Sequence, residues 1–318
     1  MHYDVFNGDA DGIIALLQLR LAEPKESTLV TGVKRDIQLL EKLSLQAGDT
    51  VTALDISMEK NKDGLNAALD AGVHVFYADH HKAGQIPESV LLDAHIDLDA
   101  NVCTALIIDR LLGGQYHLWA IAAAYGDNLI SRADELADKV NLTSEQKAQL
   151  KELGTLINYN GYGAQLDDLH FSPATLFTEL LAYDDPFAVI ADQASPYHVL
   201  KRAYQEDMVQ ALSIKAKYQS PLLGVFELPD EPYSRRVSGV YGNLLANQSP
   251  DSAHVVLTAN AGGAYTVSLR APLNNKQGAG DICSQFATGG GRAAAAGINA
   301  LERADLNRLI EEIERYYG

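Results

Sequence analysis

Four short segments of the chain carry carboxylate or imidazole side chains of the kind that bind divalent metal ions. They are FNGDADG with Asp9 and Asp11, LDIS with Asp55, YADHHKAG with Asp79, His80 and His81, and YGDN with Asp127. Two carboxylates as close in sequence as Asp9 and Asp11 repel each other unless a cation neutralises them. Each acidic residue taken alone also fits a turn or a helix cap, with Asp11 as the N-cap in the first segment.

The adjacent pair His80 and His81 is the most specific of these signals. The chain has nine histidines, and these two follow the apolar run VHVF closely, where a side-by-side pair has no evident packing purpose. A solvated polar loop is the alternative interpretation, and Lys82 directly after the pair is a candidate phosphate contact. Oxygen and imidazole ligands together suit Mn²⁺, Mg²⁺ or Zn²⁺, and the lack of clustered cysteines argues against a structural zinc site. A pair of such ions would clamp the attacking and leaving oxygens of a phosphate.

The segments that must position these residues alternate between strand and helix patterns. Strands are predicted at 2–7, 30–33, 49–57 and 73–81, and helices at 13–23, 35–43 and 61–72. This β-α-β-α order predicts an α/β fold with a doubly wound, mostly parallel sheet. Ligands of such sheets bind beyond the carboxyl ends of the strands, which is where the first three segments fall.

The rest of the chain predicts two further parts. Residues 101–192 are rich in helical patterns and complete an N-terminal domain over 1–194. Residues 195–220 predict a helical connector to a smaller α/β C-terminal domain over 221–318. A chain of 318 residues is long enough for two such domains. We expect the active site in the cleft between them.

The composition limits the classes of partner. The net charge is −17, so binding of long DNA or RNA is not expected, although a small phosphorylated ligand is compatible with it. No apolar run reaches about 18 residues and the N-terminus lacks a signal-peptide pattern, so no membrane contact is expected. Cys103 and Cys283 are expected to be buried free thiols in a reducing cytoplasm, with one disulfide as the alternative. The oligomeric state is open, a homodimer included.

The C-terminal part offers side chains for an anionic ligand. Gly289, Gly290 and Gly291 precede an alanine-rich segment predicted to be a helix, and glycines let the backbone approach a ligand closely. A helix N-terminus favours anions, and Arg292 at that point suits a terminal phosphate or carboxylate. Arg270, at the end of a predicted strand, is a second candidate. A plain helix–helix turn and an ordinary surface arginine are the alternatives.

The order D-x-D-G, D-I-S, D-H-H and G-D-N resembles the four motifs of the DHH phosphoesterase family. Far downstream, GGGRAAAAG at 289–297 resembles the GGGH-x-x-AAG signature of the DHH-associated C-terminal domain. The resemblance covers nearly the whole chain. It implies a DHH catalytic domain over 1–194 and a substrate-binding domain over 221–318. It also implies a pair of divalent ions, with Mn²⁺ favoured and Mg²⁺ or another divalent ion as the alternative.

The family resemblance implies a metal-binding role for each matching acidic motif. Asp9 would ligate the first ion, and Asp55 would bridge both ions. Asp11, His80 and Asp127 would complete the second site. A water or hydroxide held by the ions, its pKa lowered by them, would attack phosphorus.

Other implied roles concern the substrate and two departures from the family pattern. His81 would face the substrate and assist the leaving oxygen, and Asp79 would orient the histidines from behind. Many members have a histidine ligand of the first ion where this chain has Asn7, whose amide oxygen is a weaker ligand. We therefore give Asn7 a supporting role and expect a weaker first site. Arg292 stands where the signature has a histidine.

The resemblance implies a metal-dependent phosphodiesterase or phosphatase. The expected substrates are short oligonucleotides, such as dinucleotides cleaved in the manner of an exonuclease or oligoribonuclease, or small phosphonucleotides. Hydrolysis of inorganic polyphosphate or pyrophosphate is the alternative enzymatic function. A nucleotide-binding sensor without turnover is the non-enzymatic alternative, which Asn7 favours and the other intact motifs oppose.

Overall fold

A computed structural model describes residues 1–260 and 262–318 of the chain. The described residues form two compact units, Met1–Arg202 and Ala203–Gly318. The division falls inside the segment 195–220 that the sequence predicts as a connector. Both units combine helices with a sheet, and the sheet of the first is parallel, so the predicted fold class is confirmed.

The first unit is built on parallel strands in the order β2-β1-β3-β4-β5. The strands are β1 (His2–Phe6), β2 (Thr28–Val30), β3 (Thr50–Leu54), β4 (His74–Asp79) and β5 (Leu92–Ile96). Phe6 pairs with Leu54, and Leu54 pairs with Ala78. The strands β1, β3 and β4 therefore reach the same edge of the sheet, and the residues that follow them meet there.

Helices make up most of the remaining first unit. They are α1 (Ala10–Ala22), α2 (Lys62–Asp70), α3 (Thr104–Leu111), α4 (His117–Gly126), α5 (Ile130–Lys139), α6 (Ser144–Gly161), α7 (Pro173–Leu180) and α8 (Pro186–Ala191). The helix α9 (Pro196–Leu212) begins in the first unit and ends in the second. Most residues of α1 and α4 are buried on every face, because both helices are apolar nearly all round. The helical pattern predicted for 101–192 is confirmed.

The segment 35–43, predicted as a helix, forms only a 3₁₀ turn at Leu40–Lys42. The side chain of Asn61 forms hydrogen bonds with the backbone of this segment instead. Asn61 Oδ1 accepts from the N–H groups of Leu39 (3.0 Å) and Leu40 (3.1 Å), and Nδ2 donates to the Ile37 carbonyl (2.7 Å). Because a side chain takes these backbone groups, no α-helical ladder forms, and the helix prediction is wrong.

The second unit contains a mixed sheet in the order β10-β11-β9-β8-β7-β6, in which β7 and β8 are parallel and the other neighbours antiparallel. The elements are β6 (Ala216–Gln219), β7 (Leu223–Leu228), α10 (Pro232–Gln248), β8 (Ala253–Ala259), β9 (Tyr265–Arg270), α11 (Ala279–Cys283), β10 (Gly289–Gly291), β11 (Ala295–Leu301) and α12 (Leu306–Tyr317). Val255, Val267 and Leu309 belong to its apolar core.

One helix prediction in this part of the chain extends too far, and another is wrong. α9 ends at Leu212 and β6 follows it, so the segment 195–220 is not helical throughout. The alanine-rich segment after residues 289–291 is the strand β11, which forms a hairpin with β10. Ala296 and Ile298 of β11 are buried in the core, and this burial outweighs the helix preference of alanine.

Within 1–260 and 262–318, no helix combines the length and the apolar character that crossing a bilayer requires. Cys103 and Cys283 are both buried free thiols, as predicted. Burial raises the pKa of the Cys103 thiol well above its usual value, and the charge of Asp11 raises it further. The thiol of Cys103 is therefore neutral and unreactive.

Candidate metal centre

Three motif residues lie together because their strands end at the same edge of the sheet. Asn7 follows β1, Asp55 follows β3, and Asp79 ends β4. The Asn7 N–H donates to the Leu54 carbonyl (3.2 Å) and the Asp55 N–H to the Ala78 carbonyl (3.0 Å), so the pairing continues past the strands. The three residues are 4%, 1% and 0% exposed, respectively. The sheet thus buries three polar side chains at one point.

Asp9 and Asp11 each hold the N-terminus of a helix. Asp9 caps α1, because its Oδ1 accepts from the N–H groups of Asp11 (3.0 Å) and Gly12 (3.1 Å). The alternative interpretation of Asp11 as the cap of this helix is therefore wrong. Asp11 instead accepts the N–H groups of Thr104 and Ala105, each at 2.7 Å, where α3 begins. A Cβ at position 12 would lie 2.3 Å from a carbonyl oxygen of the preceding loop, so this tight turn requires glycine.

Asp55 has a backbone φ of 57°, in the left-handed region that residues other than glycine rarely adopt. Its Oδ1 accepts from the Thr104 hydroxyl at 3.2 Å. Burial raises the pKa of Asp55 well above its usual value, and the charges of Asp11, Asp9 and two further carboxylates raise it more. A divalent cation beside Asp55 would compensate these charges and restore the ionised form.

His80 presents one ring nitrogen to the carboxylates. Its Nδ1 lies 2.7 Å from the Val102 carbonyl oxygen, which accepts only, so Nδ1 carries the proton. In the neutral ring Nε2 is then the basic atom, 3.4 Å from Asp55 Oδ1 and 3.7 Å from Asp11 Oδ2. A backbone carbonyl behind the second nitrogen is the usual way in which a metal-binding histidine is oriented.

The ring of His81 stands edge-on to that of His80, with 4.6 Å between the centroids. Its Nδ1 lies 2.7 Å from Asp79 Oδ1 and 3.8 Å from Asp55 Oδ1. Because the buried Asp79 carboxylate accepts a hydrogen bond from Nδ1–H of His81, Nε2 is the ring nitrogen with a free lone pair in the neutral form. The side chain of His81 is 32% exposed and that of His80 only 3%, so His81 faces the accessible side.

Asp55, His80 and His81 fit a divalent metal ion. One potential ligand atom from each lies within 4.8 Å of those from the other two, and the described part of the chain contains one such group. Asp79 Oδ2 is buried with no hydrogen-bond partner among the described residues, an acceptor that a nearby cation would compensate. Mixed carboxylate and imidazole donors suit Mn²⁺, Mg²⁺ or Zn²⁺.

Asp127 brings the fourth motif to the same cluster. It is the C-cap of α4, and the next residue, Asn128, has a left-handed φ of 61°. Asp127 lies close enough for its charge to act on Asp9, Asp55 and Lys34. All four acidic motifs of the sequence therefore meet in the first unit.

Lys34 is a site residue that the sequence analysis missed. Its Nζ donates to Asp9 Oδ2 and lies 3.1 Å from Asn158 Oδ1. Burial alone would lower the pKa of Lys34, but the carboxylate of Asp9 raises it well above its usual value. Its place in the sequence could have identified it, because Lys34 follows the carboxyl end of β2 in the same way that the acidic motifs follow β1, β3 and β4.

Two predicted substrate contacts differ in their surroundings. Lys82 is exposed in the first unit, directly after His81. Arg270 belongs to the second unit and is 8% exposed. Its guanidinium donates to Asn243 Oδ1 (2.6 Å) and the Gly239 carbonyl (3.3 Å), both on α10. These contacts give Arg270 a structural role, and its substrate role stays a prediction.

The glycine run and Arg292 lie in a hairpin of the second unit. Residues 289–291 form β10, so the anion site predicted at a helix N-terminus is wrong there. Arg292 is half-buried in the turn between β10 and β11, where its N–H donates to the Ala295 carbonyl at 2.9 Å. A substrate contact by the Arg292 side chain stays a prediction.

Comparison with known proteins identifies the fold. No protein-family model matches the sequence, and no curated protein does. The solved structure of exonuclease RecJ bound to manganese has a TM-score of 0.61 and 16% identity, over 99% of this chain and 89% of RecJ. A pGpG-specific phosphodiesterase, PggH from Vibrio cholerae, has a TM-score of 0.55 and 14% identity, over 100% of this chain and 99% of PggH.

RecJ from Thermus thermophilus, solved in complex with Mn²⁺, has a TM-score of 0.55 and 16% identity. The match covers 99% of this chain and 52% of that protein, so this chain spans about half of its length. At such identities these likenesses establish the fold. Together with the ordered motifs, they confirm that the chain has the fold of the DHH phosphoesterases with a C-terminal associated domain.

Proposed function

We propose that the chain is a metal-dependent phosphodiesterase that releases nucleoside monophosphates from very short oligonucleotides, dinucleotides above all. Removal of phosphate from a small phosphonucleotide is the related activity. The observation that carries this proposal is the group of buried Asp55, buried His80 and half-buried His81 at the carboxyl edge of a parallel sheet. The likeness to an exonuclease and to a pGpG-specific phosphodiesterase supports phosphoester hydrolysis.

The charge of the chain supports a small substrate. A net charge of −17 repels a long polyanion, whereas a dinucleotide brings few phosphates. The cluster itself contains five carboxylates, so a phosphate approaches only when cations offset them. Buried free thiols are compatible with the cytoplasmic location that the composition predicts.

Different residues of the chain would take different roles in hydrolysis. A divalent ion, when bound, supplies charge for the phosphate and lowers the pKa of a water molecule. Asp55 and His80 would hold that ion. His81 is the more exposed of the two histidines, and its Nδ1 is held by Asp79, so its Nε2 would take up a proton and return it to the leaving oxygen. Asp79 holds the Nδ1 proton of His81 and stabilises the ring when Nε2 is protonated.

A substrate panel tests the proposal. The protein is incubated in Mn²⁺ with pGpG, a nucleoside 3′,5′-bisphosphate, inorganic polyphosphate and a long single-stranded oligonucleotide, and products are separated by chromatography. We expect GMP from pGpG and little product from the long strand. Turnover of polyphosphate alone would replace the proposal by the exopolyphosphatase alternative. Nucleotide binding with no turnover of any substrate would indicate a sensor.

A further inference from the structure

We propose that the centre holds a single divalent cation, at Asp55 and His80 beside His81, and that the ammonium group of Lys34 takes the place of a second cation at Asp9. This inference rests on the proposed metal-dependent function for the first cation only. It departs from the pair of ions that the family resemblance implies. Asp55 would then bind one ion rather than bridge two.

Both oxygens of the Asp9 carboxylate already accept hydrogen bonds from the chain. Oδ1 accepts two backbone N–H groups, those of Asp11 and Gly12. Oδ2 accepts from the Nζ of Lys34. A metal ion at Oδ2 would lie directly beside the positively charged Lys34 ammonium, which would repel it or have to give up a largely buried ion pair. Asp9 consequently fits a first metal ion poorly.

Lys34 is fixed in this place by more than its ion pair. Its backbone N–H donates to the Gly161 carbonyl at 2.8 Å, at the end of α6. Its Nζ lies 3.1 Å from Asn158 Oδ1 and 5.2 Å from the centre of the Tyr162 ring. Only 22% of the side chain is exposed. Lys34 thus differs from a surface lysine, whose long side chain would be free to leave when a metal ion arrives.

Two backbone segments beside Lys34, the end of α6 and the loop that carries Asp9, pack closely against each other. A Cβ on Gly161 would lie 2.8 Å from the Gly8 carbonyl oxygen and 3.1 Å from the Cα of Asp9. The end of α6 therefore packs directly on the loop that carries Asp9, which a larger residue would prevent. This packing places the Lys34 anchor beside its carboxylate partner.

Asn7 strengthens the same conclusion. Its Nδ2 donates to the Lys34 carbonyl oxygen at 3.4 Å, so the side chain supports the lysine's own backbone. Its Oδ1 is buried with no hydrogen-bond partner among the described residues, but a neutral amide oxygen is a weaker metal ligand than a carboxylate or imidazole. The two positions expected to serve a first ion, Asn7 and Asp9, are thus both linked to Lys34.

The distribution of charge explains why a metal ion would bind at Asp55 and not at Asp9. Near Asp9 the Lys34 ammonium offsets the carboxylate. The basic side chains beside the Asp55 carboxylate are instead the imidazoles of His80 and His81, and four neighbouring carboxylates add negative charge there. The two sides of the cluster therefore differ in how their negative charge is compensated.

Metal stoichiometry tests the inference without reference to activity. Metal-stripped protein is titrated with Mn²⁺ alone by calorimetry, and the bound ions are examined by electron paramagnetic resonance. We expect one Mn²⁺ per wild-type chain with the spectrum of an isolated ion. Lys34→Met removes the charge at similar length and should raise the stoichiometry to two, with an exchange-coupled spectrum.

Matched variants separate this inference from the proposed function. Lys42→Met, in which an exposed lysine paired with Asp36 is changed, should leave the stoichiometry at one. Asp9→Asn should leave the affinity for the single ion within about threefold of wild type. Two Mn²⁺ ions on the wild-type chain, or one on a folded Lys34→Met chain, would overturn the inference while leaving the phosphodiesterase proposal intact. A wild-type chain that binds no divalent ion would overturn both.

Discussion

The Nδ1 atom of His80 lies 2.7 Å from the carbonyl oxygen of Val102, at the beginning of the segment that leads into α3. This contact fixes the proton on Nδ1 and directs Nε2 toward Asp55 and Asp11. The position of a backbone carbonyl thus determines which nitrogen of His80 is available to a metal ion.

His80→Ala should weaken Mn²⁺ binding by about 10–100-fold, because one ligand of a small cluster is lost. Isothermal calorimetry on metal-stripped protein measures the dissociation constant directly. His95→Ala is the matched control, since His95 belongs to β5 and pairs with Asp93 at 3.0 Å. Equal Mn²⁺ affinity in the His80 variant and the control would remove His80 from the ligand set.

His81→Ala should spare Mn²⁺ binding and slow turnover. The Nδ1 of His81 is engaged by Asp79, and its side chain is more exposed than that of His80, so we expect the ring to serve the substrate rather than the metal ion. We expect kcat on pGpG to fall by about 100-fold or more, as for loss of a general acid or base, with Mn²⁺ affinity within about threefold. Loss of Mn²⁺ binding in this variant would show that His81 is a ligand.

Because the pKa of Asp55 is raised, Asp55→Asn should shift the melting temperature in opposite directions without and with bound metal. In the metal-free fold Asp55 keeps its proton to higher pH than in the unfolded chain, so rising pH favours unfolding through this group. Asn cannot ionise and tolerates the left-handed backbone. Metal-free Asp55→Asn should therefore melt at a higher temperature than wild type, and the difference should grow as the pH rises above the ordinary Asp range.

Saturating Mn²⁺ should reverse this order, because the ion stabilises only a fold that binds it. Thermal melts in EDTA and in Mn²⁺, at several pH values, provide the measurement. The same variant should lose activity on pGpG. A wild-type chain that gains no stability from Mn²⁺ over Asp55→Asn would contradict a metal site at Asp55.

Arg292→Ala should raise KM for the dinucleotide and leave kcat nearly unchanged, if Arg292 anchors the substrate equally in the ground and transition states. Steady-state kinetics on pGpG separate the two constants. Arg315→Ala changes an arginine whose side chain is 73% exposed and pairs with Glu312, so it serves as the control. Unchanged KM in the Arg292 variant would remove this residue from the substrate site.

The positions of candidate ligand residues could be predicted from the sequence where these residues directly follow a strand. Asp55 and the His80–His81 pair come directly after apolar runs, and parallel strands end at one edge, so their meeting could be predicted. β5 could not be predicted in this way, because its residues Leu92–Ile96 are mostly only half-buried and lack an apolar run.

Long-range partners account for most of what the sequence could not show. Asp11 receives N–H groups 93 and 94 residues away, and Lys34 contacts Asn158 across 124 residues. No local pattern marks such pairs. The alanine-rich segment became a strand for a similar reason, because its neighbours β9 and β10 decide its conformation rather than its own helix preference.

The paired registers of β1, β3 and β4 have a consequence for how this protein tolerates length changes. His2, Thr50 and His74 are aligned at one edge, and Phe6, Leu54 and Ala78 at the other, so each strand acts as a spacer of fixed length. Inserting one residue into any of them would turn every later side chain to the opposite face and move one motif out of reach of the others. Insertions should therefore be accepted in the loops before these strands, and natural relatives should differ in length there rather than within the strands.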